Sequence, residues 1–278
     1  MTGETAALRA RFEALLGAGE DALDLGEAAL LIGAEAEPGT DVDRWLRRLD
    51  ALGAEARPRV QAAGDPADQA RALCRFLYDE YGLRGNRDAY YDPRNSYLHH
   101  VLARGLGIPI TLAVVLVEVG RRAGLPLVGV GFPAHFLVRH RDVDLFLDPF
   151  DQGRPLSVAG CRTLLEERAG GVVPFQPDLL RPVSGREVLA RMLRNLKAIH
   201  LREGDLEAAL GVAERLVLVR PDDPEERRDR GLLRAALRRP GPAVDDLAGY
   251  LARRPAAPDA RAVRAQLDEA RRRLWEMN

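Results

Sequence analysis

Residues 107–148 read GIPITLAVVLVEVGRRAGLPLVGVGFPAHFLVRHRDVDLFLD, and this stretch decides the fold of the chain. Apolar residues at helical spacing predict a helix from Ile110 to Ala123, with Pro109 tolerated in its first turn. Alternation of apolar and polar residues predicts antiparallel strands at 127–131, 134–140 and 144–147. A helix that packs on such a sheet predicts an α+β core over about residues 85–158.

Three side chains of this stretch occur in the order of a nucleophile, a histidine and an aspartate. Thr111 lies in the first turn of the predicted helix, where backbone N–H groups and the helix dipole stabilise negative charge. His135 is predicted on a strand, with Asp148 at the end of the next strand, so that the imidazole lies beside the carboxylate. Because a threonine hydroxyl is far less acidic than a thiol, the set is a candidate or a vestigial catalytic triad. The alternative for Thr111 is packing or capping of a core helix.

Five further polar residues are candidates for a binding cleft around this triad. They are Asn95, Ser96, Arg104, Glu118 and Arg139. The first three precede the turn at 107–109. Glu118 is seven residues after Thr111 and therefore lies on the same face of the predicted helix, about two turns away. Arg139 shares a predicted strand face with His135.

The sequence predicts no metal site and no cofactor. His99 and His100 are adjacent, so their side chains are expected to leave a helix in different directions. His135 and His140 are an odd number of residues apart, which places them on opposite faces of a strand. The cysteines and histidines lack the spacing of a zinc site, and the sequence has no glycine-rich phosphate loop.

Helical segments flank the core on both sides. Residues 5–83 read as several helices rich in alanine, leucine, arginine and glutamate. Residues 160–185 contain three prolines and predict an irregular connector. We therefore expect one domain at residues 1–180, which joins the N-terminal helices to the core, and a second domain at residues 184–278.

The C-terminal segment carries an internal repeat. Ser184 and Glu187 have the spacing of a capping box at the start of its first helix. Ala209 and Ala243 are 34 residues apart, which is the period of tetratricopeptide repeats. We expect an all-α repeat whose stacked helices form a groove for a protein or peptide partner.

Composition narrows the range of partners and compartments. The formal net charge of −1 gives no electrostatic case for a nucleic-acid partner. Cys74 and Cys161 are too few for a disulfide framework and indicate a reducing compartment. The longest apolar run, residues 108–119, is shorter than the roughly 20 residues that span a bilayer. These features predict a cytoplasmic protein without a membrane partner, and they leave its oligomeric state open.

Several motifs together resemble a known family. They are YYDPRNSYL at 90–98, GIPITL at 107–112, GFPAHFLVR at 131–139 and LDPF at 147–150. This combination resembles the bacterial SirB-type proteins, in which a transglutaminase-like domain precedes tetratricopeptide repeats. The resemblance implies a papain/transglutaminase-type core, and it maps the superfamily's cysteine, histidine and aspartate onto Thr111 (or a residue or two away), His135 and Asp148. SirB-type proteins similarly carry a small hydroxyl residue in this region.

These observations are compatible with three functions, of which the last is a stabilising scaffold without a ligand cleft. The first is a cysteine-less pseudoenzyme that acts as a binding or regulatory module, with the repeat recruiting a protein partner. The second is a weak hydrolase or acyltransferase on amide bonds, with Thr111 as nucleophile or with His135 activating water. The separation of the Thr111 hydroxyl and the His135 ring discriminates them, because a nucleophile and its base need about 2.6–3.2 Å.

Overall fold

The structure is a computed structural model that describes residues 3–20, 22–170 and 172–277. The chain forms two compact units, Met1–Met192 and Leu193–Asn278. Each unit has its own core. Among the described residues, no helix combines the length and the apolar composition needed to cross a membrane.

The first unit begins with helices, as the composition of residues 5–83 predicts. They are α1 (Gly3–Gly17), α2 (Leu25–Ala36), α3 (Val42–Gln61) and α4 (Pro66–Cys74), which continues into a π-helical turn (Arg75–Glu80). Asp24, Asp41 and Asp65 precede α2, α3 and α4, and each side chain accepts the backbone N–H of the residue three positions later. Aspartate is a preferred N-cap because it satisfies one of the free N–H groups of a first helical turn.

The central element of this unit is α6 (Pro109–Ala123), which begins one residue before the predicted start and ends at the predicted residue. It is apolar on nearly all sides, and Gly124 ends it in the left-handed conformation, with φ of 91°. Helices α2, α3 and α5 (Leu98–Arg104) contact α6, and so do two strands of the main sheet. A helix that is apolar all round is expected to be buried in this way.

Two sheets accompany α6. Short parallel strands β1 (Arg84–Gly85) and β2 (Leu106–Gly107) form the smaller sheet. The larger is antiparallel, in the order β3 (Leu127–Val130), β4 (Leu137–His140), β5 (Phe146–Asp148) and β6 (Arg154–Leu156). The antiparallel arrangement was predicted, whereas β6 was not, because it is only three residues long and contains Pro155. Proline is confined to edge positions in sheets, and β6 is an edge strand.

The predicted connector at 160–185 is wrong in its first part. Residues Val158–Ala169 form α7, whose N-cap Ser157 accepts the N–H of Gly160 at 3.1 Å. The prolines that suggested a connector all follow this helix. The side of α7 that faces the sheet joins a hydrophobic cluster that includes Leu137, Phe146, Leu156, Cys161, Leu164 and Leu165.

The described C-terminal part of the chain, from residue 185 onward, contains five helices. They are α8 (Gly185–Glu203), α9 (Leu206–Val219), α10 (Pro224–Ala236), α11 (Pro240–Arg253) and α12 (Ala260–Glu276). Ser184 and Glu187 form the predicted capping box at the start of α8, with distances of 3.2 and 2.8 Å. Ala209 of α9 and Ala243 of α11 are both fully buried, at equivalent places in successive helical pairs. The repeat prediction is therefore confirmed.

Ion pairs hold the second unit together. Lys197 is the only lysine among 41 basic residues, and it is 8% exposed. Its Nζ lies 2.6 Å from Glu226 Oε2 and 2.7 Å from Asp229 Oδ2. Asp246 of α11 is similarly buried and pairs with Arg230 of α10 at 2.6 Å. Each buried charge thus has an opposite charge beside it, without which it would strongly destabilise the fold.

A tight turn after β5 packs closely against the end of α4. Gly153 has φ of 70°, and its N–H donates to the carbonyl of Asp148 at 2.8 Å. A Cβ at Gly153 would collide with the Sγ of Cys74. Only glycine fits here, because the position requires both a left-handed backbone and the absence of a side chain.

We predict that Gly153→Ala lowers the free energy of unfolding by about 2–5 kcal/mol, from left-handed strain and overpacking together. Gly82→Ala is the matched control, because Gly82 has φ of 88° with no atom within 4 Å of the added Cβ. Gly82→Ala should lower the free energy of unfolding only by the strain of an alanine in the left-handed conformation, about 1–2 kcal/mol. Urea denaturation measures both values, and equal losses would refute the packing argument.

Candidate functional site

His135 and Asp148 form a buried pair. His135 Nε2 lies 2.8 Å from Asp148 Oδ1, and the two side chains are only 2% and 1% exposed. The hairpin therefore brings the imidazole and the carboxylate together, as the separation of 13 residues predicted. What this pair does chemically remains a prediction.

The prediction that His135 lies on a strand is wrong. β4 begins at Leu137, and His135 lies in a turn in which its N–H donates to the carbonyl of Phe132 at 3.2 Å. Ala134 has φ of 53°, which L-residues rarely adopt. The turn breaks the alternation of the strand, so the face that Leu137 and Arg139 share does not extend to His135.

The Asp148 carboxylate has several donors. Burial alone would raise its pKa, but the hydrogen bond and charge of His135 and the N–H groups of Phe150 and Asp151 lower it below the ordinary value. These N–H groups donate to Oδ1 at 2.9 and 3.3 Å. Asp148 is therefore ionised at neutral pH and accepts a hydrogen bond from His135 Nε2. In the neutral imidazole this leaves Nδ1 as the unprotonated nitrogen.

Two residues that contact His135 were not among the predicted site residues. Arg191 of α8 donates from Nη2 to the His135 carbonyl at 2.8 Å, and its guanidinium lies over the Phe136 ring. Phe150 meets the imidazole edge-on, with ring centroids 6.4 Å apart. Arg191 is 56 residues away in sequence, so no local signal links it to the turn. Phe150 directly follows Asp148-Pro149, and the family motif already pointed to it.

Thr111 uses its hydroxyl at the start of α6. It is completely buried, accepts the N–H of Ile108 at 3.1 Å and donates to the carbonyl of Asn95 at 2.7 Å. Among the residues that the structure describes, the hydrogen bonds of this hydroxyl go to Asn95 and Ile108, and none goes to His135. The geometry is that of a helix-start residue.

Asn95 and Ser96 lie next to this helix start. The Asn95 side chain is fully buried, donates to the carbonyl of Ala89 at 2.7 Å and accepts from Asn86 Nδ2 at 3.0 Å. It therefore holds the loop that precedes α5. Ser96 is 1% exposed, and within the described part of the chain its Oγ has no hydrogen-bond partner.

Glu118 is turned toward the N-terminal helices. It is 2% exposed and pairs with Arg121 at 2.9 Å and with Arg122. A Cβ on Gly26 of α2 would lie 2.9 Å from Glu118 Oε2, so these two helices approach closely here. This burial accounts for the carboxylate as part of the helix packing, and a role in binding remains a prediction.

Arg104 and Arg139 also have their own partners. Arg104 Nη2 lies 3.4 Å from Asp92, whereas its Nη1 is buried and has no partner among the described atoms. Arg139 pairs with Asp144 at 3.2 Å and donates to the carbonyl of Leu180 at 3.2 Å. Their membership in a common cleft with His135 remains a prediction.

The expectation that adjacent histidines point apart is wrong for His99 and His100. Both rings direct Nε2 to the Glu37 carboxylate, at 3.0 and 2.9 Å, and the ring centroids are 4.4 Å apart. Both residues lie in the first turn of α5, where no preceding turn restricts the side-chain rotamers. Two neighbouring side chains can therefore converge.

Comparison with protein families matches both parts of the chain. The transglutaminase-like superfamily matches residues 43–194, and a tetratricopeptide repeat family matches residues 196–268. No solved structure matches the chain significantly.

Similar proteins extend over most of the chain. A UPF0162 protein of Xylella fastidiosa is 38% identical over 253 residues, which cover 89% of this chain and 90% of that protein. Protein SirB1 of Salmonella typhimurium is 29% identical and covers 80% of this chain and 82% of its own length. Human F-box only protein 21 is 36% identical over 143 residues, which are 48% of this chain and 22% of that protein. Because both family models match and the similarity to the UPF0162 protein covers about nine tenths of each chain, this chain belongs to the family of SirB1 and the UPF0162 proteins, with a transglutaminase-like domain followed by tetratricopeptide repeats.

Proposed function

We propose that this chain is a non-catalytic transglutaminase-like protein that acts as a binding or regulatory module and recruits a protein partner through its repeat. The observation that carries the proposal is the use of the Thr111 hydroxyl. Its single hydrogen faces the carbonyls of Asn95 at 2.7 Å and of Ile108 at 3.2 Å, and its oxygen accepts the N–H of Ile108, all inside the protein. A nucleophile instead has to offer that hydrogen to a base.

The two cysteines offer no replacement nucleophile. Burial raises the pKa of Cys74 to about 12 and the pKa of Cys161 to about 11, with a smaller contribution from nearby carboxylates. Both thiols are therefore protonated and inert at neutral pH, because the thiolate is the reactive form. Both are buried without a disulfide, which fits the cytoplasmic location that we propose.

The runner-up is an amide hydrolase or acyltransferase, and the His135–Asp148 pair favours it. An ionised aspartate 2.8 Å from Nε2 holds an imidazole as a general base requires. Burial argues against it, because His135 is 3% exposed and Phe150 lies against its ring. A substrate would have to displace Phe150 and also Tyr90, which packs edge-on against Phe150 at 6.0 Å.

The partner site that we propose in the repeat unit lies between α10, α11 and α12. A cavity of about 360 Å³ opens there, with Ala235, Ala236, Ala270 and Leu232 as its apolar lining and Arg238, Glu269 and Arg273 as charged groups. Stacked repeat helices commonly bind protein segments on such surfaces. The mixture of apolar and charged groups suits an amphipathic segment.

The first prediction of this proposal concerns activity. Purified protein should not turn over amide, ester or amine-acceptor substrates above the level of His135→Ala, and Thr111→Cys should remain silent because position 111 is buried. A broad substrate and activity-probe screen of the three proteins measures this. Turnover by the parent that His135→Ala abolishes would make the runner-up correct.

The second prediction concerns Thr111 itself. Thr111→Val keeps the shape but leaves the Ile108 N–H and the Asn95 carbonyl unpaired, so it should cost about 2–4 kcal/mol of unfolding free energy. Thr111→Ser keeps the hydroxyl and loses one methyl group, so it should cost about 1 kcal/mol. Urea denaturation gives both values. A valine variant as stable as the serine variant would remove the structural role.

The third prediction concerns the repeat cavity. Ala236→Trp fills the cavity from an exposed helical position, and it should lower partner capture at least tenfold without unfolding the protein. Ala252→Trp is the matched control, because Ala252 is exposed on α11 and does not line the cavity. Quantitative affinity capture from a lysate of the native host measures the effect. Equal capture by the two variants would place the partner elsewhere.

A further inference from the structure

Glu37, His99 and His100 form a cluster separate from the His135–Asp148 pair. Glu37 directly follows α2, and its backbone N–H is held by the Gly33 carbonyl at 2.9 Å. The two histidines lie in the first turn of α5. One potential ligand atom from each of the three residues, a ring nitrogen of each histidine and a carboxylate oxygen of Glu37, lies within 4.8 Å of the other two.

We propose that Glu37, His99 and His100 bind a divalent transition-metal cation of the zinc type. Two imidazole nitrogens and one carboxylate oxygen are a common ligand set for zinc, at about 2.0–2.2 Å from the metal. A tetrahedral centre then needs ligand atoms about 3.4 Å apart. The His99 and His100 Nε2 atoms lie 3.0 and 2.9 Å from Glu37 Oε2, so each of these two separations has to widen by only a few tenths of an ångström to reach that value.

The buried ligand is held in place by its neighbours. The His99 ring stacks on Tyr97, with centroids 6.0 Å apart and planes 17° apart, and Trp45 packs at 6.4 Å. On the α2 side, a Cβ on Gly33 would lie 2.5 Å from His99 Nδ1. The absence of a side chain at Gly33 thus lets the ring reach Glu37. Such preorganisation favours metal binding, because little conformational freedom is lost.

The remaining side of the cluster is open to solvent. The Glu37 side chain is 43% exposed and the His100 side chain is 26% exposed, whereas the His99 side chain is only 7% exposed. A cation can therefore enter past Glu37 and His100. Three protein ligands leave a fourth tetrahedral position, which water would fill.

One feature limits the affinity. His99 Nδ1 is buried and has no hydrogen-bond partner among the described atoms. Metal-binding histidines usually donate this second nitrogen to an acceptor, and loss of that contact costs about 10- to 100-fold in affinity. We therefore expect micromolar and not nanomolar binding of zinc.

The test is a calorimetric titration of the tag-free full chain with zinc chloride. We expect one equivalent to bind, with at least tenfold weaker binding in Glu37→Gln and in His100→Ala. Glu80→Gln is the matched control, because Glu80 is a partly exposed carboxylate paired with Arg59, and it should bind zinc as the parent does. Circular dichroism confirms that each variant is folded. His100 is partly exposed, so its removal spares the core.

A second readout examines the geometry. Cobalt(II) added to the parent should give the absorption of a tetrahedral nitrogen and oxygen site. Gly33→Ala, which pushes the His99 ring without removing a ligand, should weaken zinc binding at least tenfold. No saturable uptake of zinc, or uptake that Glu37→Gln and His100→Ala retain, would overturn the proposal. The three residues would then be a hydrogen-bonded cluster only.

Discussion

The first turn of α6 constrains everything around it. A helix buried along its length has to satisfy the N–H groups of its first turn inside the protein. The Thr111 hydroxyl accepts the N–H of Ile108 and donates to the carbonyl of Asn95. The Asn95 side chain in turn donates to the carbonyl of Ala89 and holds the loop before α5. A thiol is a weak donor and a weak acceptor. A threonine at this position is therefore better suited than a cysteine to the hydrogen bonds of the helix start that Thr111 makes here.

The buried His135–Asp148 pair also depends on hydrogen bonds made inside the protein. Burying two such groups is costly, and it is tolerated where further hydrogen bonds surround them. Asp148 takes two backbone N–H groups as well as the imidazole, and Arg191 holds the carbonyl of His135. The histidine and aspartate thus tie a turn, a strand and a helix together.

The sequence was informative where burial imposes a period. The apolar helix, the antiparallel strands and the 34-residue repeat are patterns of hydrophobicity, and the structure shows all three. The sequence was uninformative where a single backbone or side-chain dihedral angle determines the position of a side chain. The positive φ of Ala134 moves His135 off the strand, and side-chain rotamers bring His99 and His100 to one carboxylate. Helix α7 escaped prediction because the prolines that follow it dominate the composition of the segment.

The single lysine has a consequence for the chemistry of the whole chain. Lys197 Nζ lies between the carboxylates of Glu226 and Asp229, and its side chain is only 10% exposed. Acylating reagents, amine-directed crosslinkers and lysine-modifying enzymes need a neutral and accessible amine. Because the Lys197 side chain is only 10% exposed, we expect them to react with it mainly when α8 separates from α10. Modification of Lys197 in the native chain therefore counts openings of the repeat unit. The other basic side chains are arginines and histidines, so no second lysine contributes background to that signal.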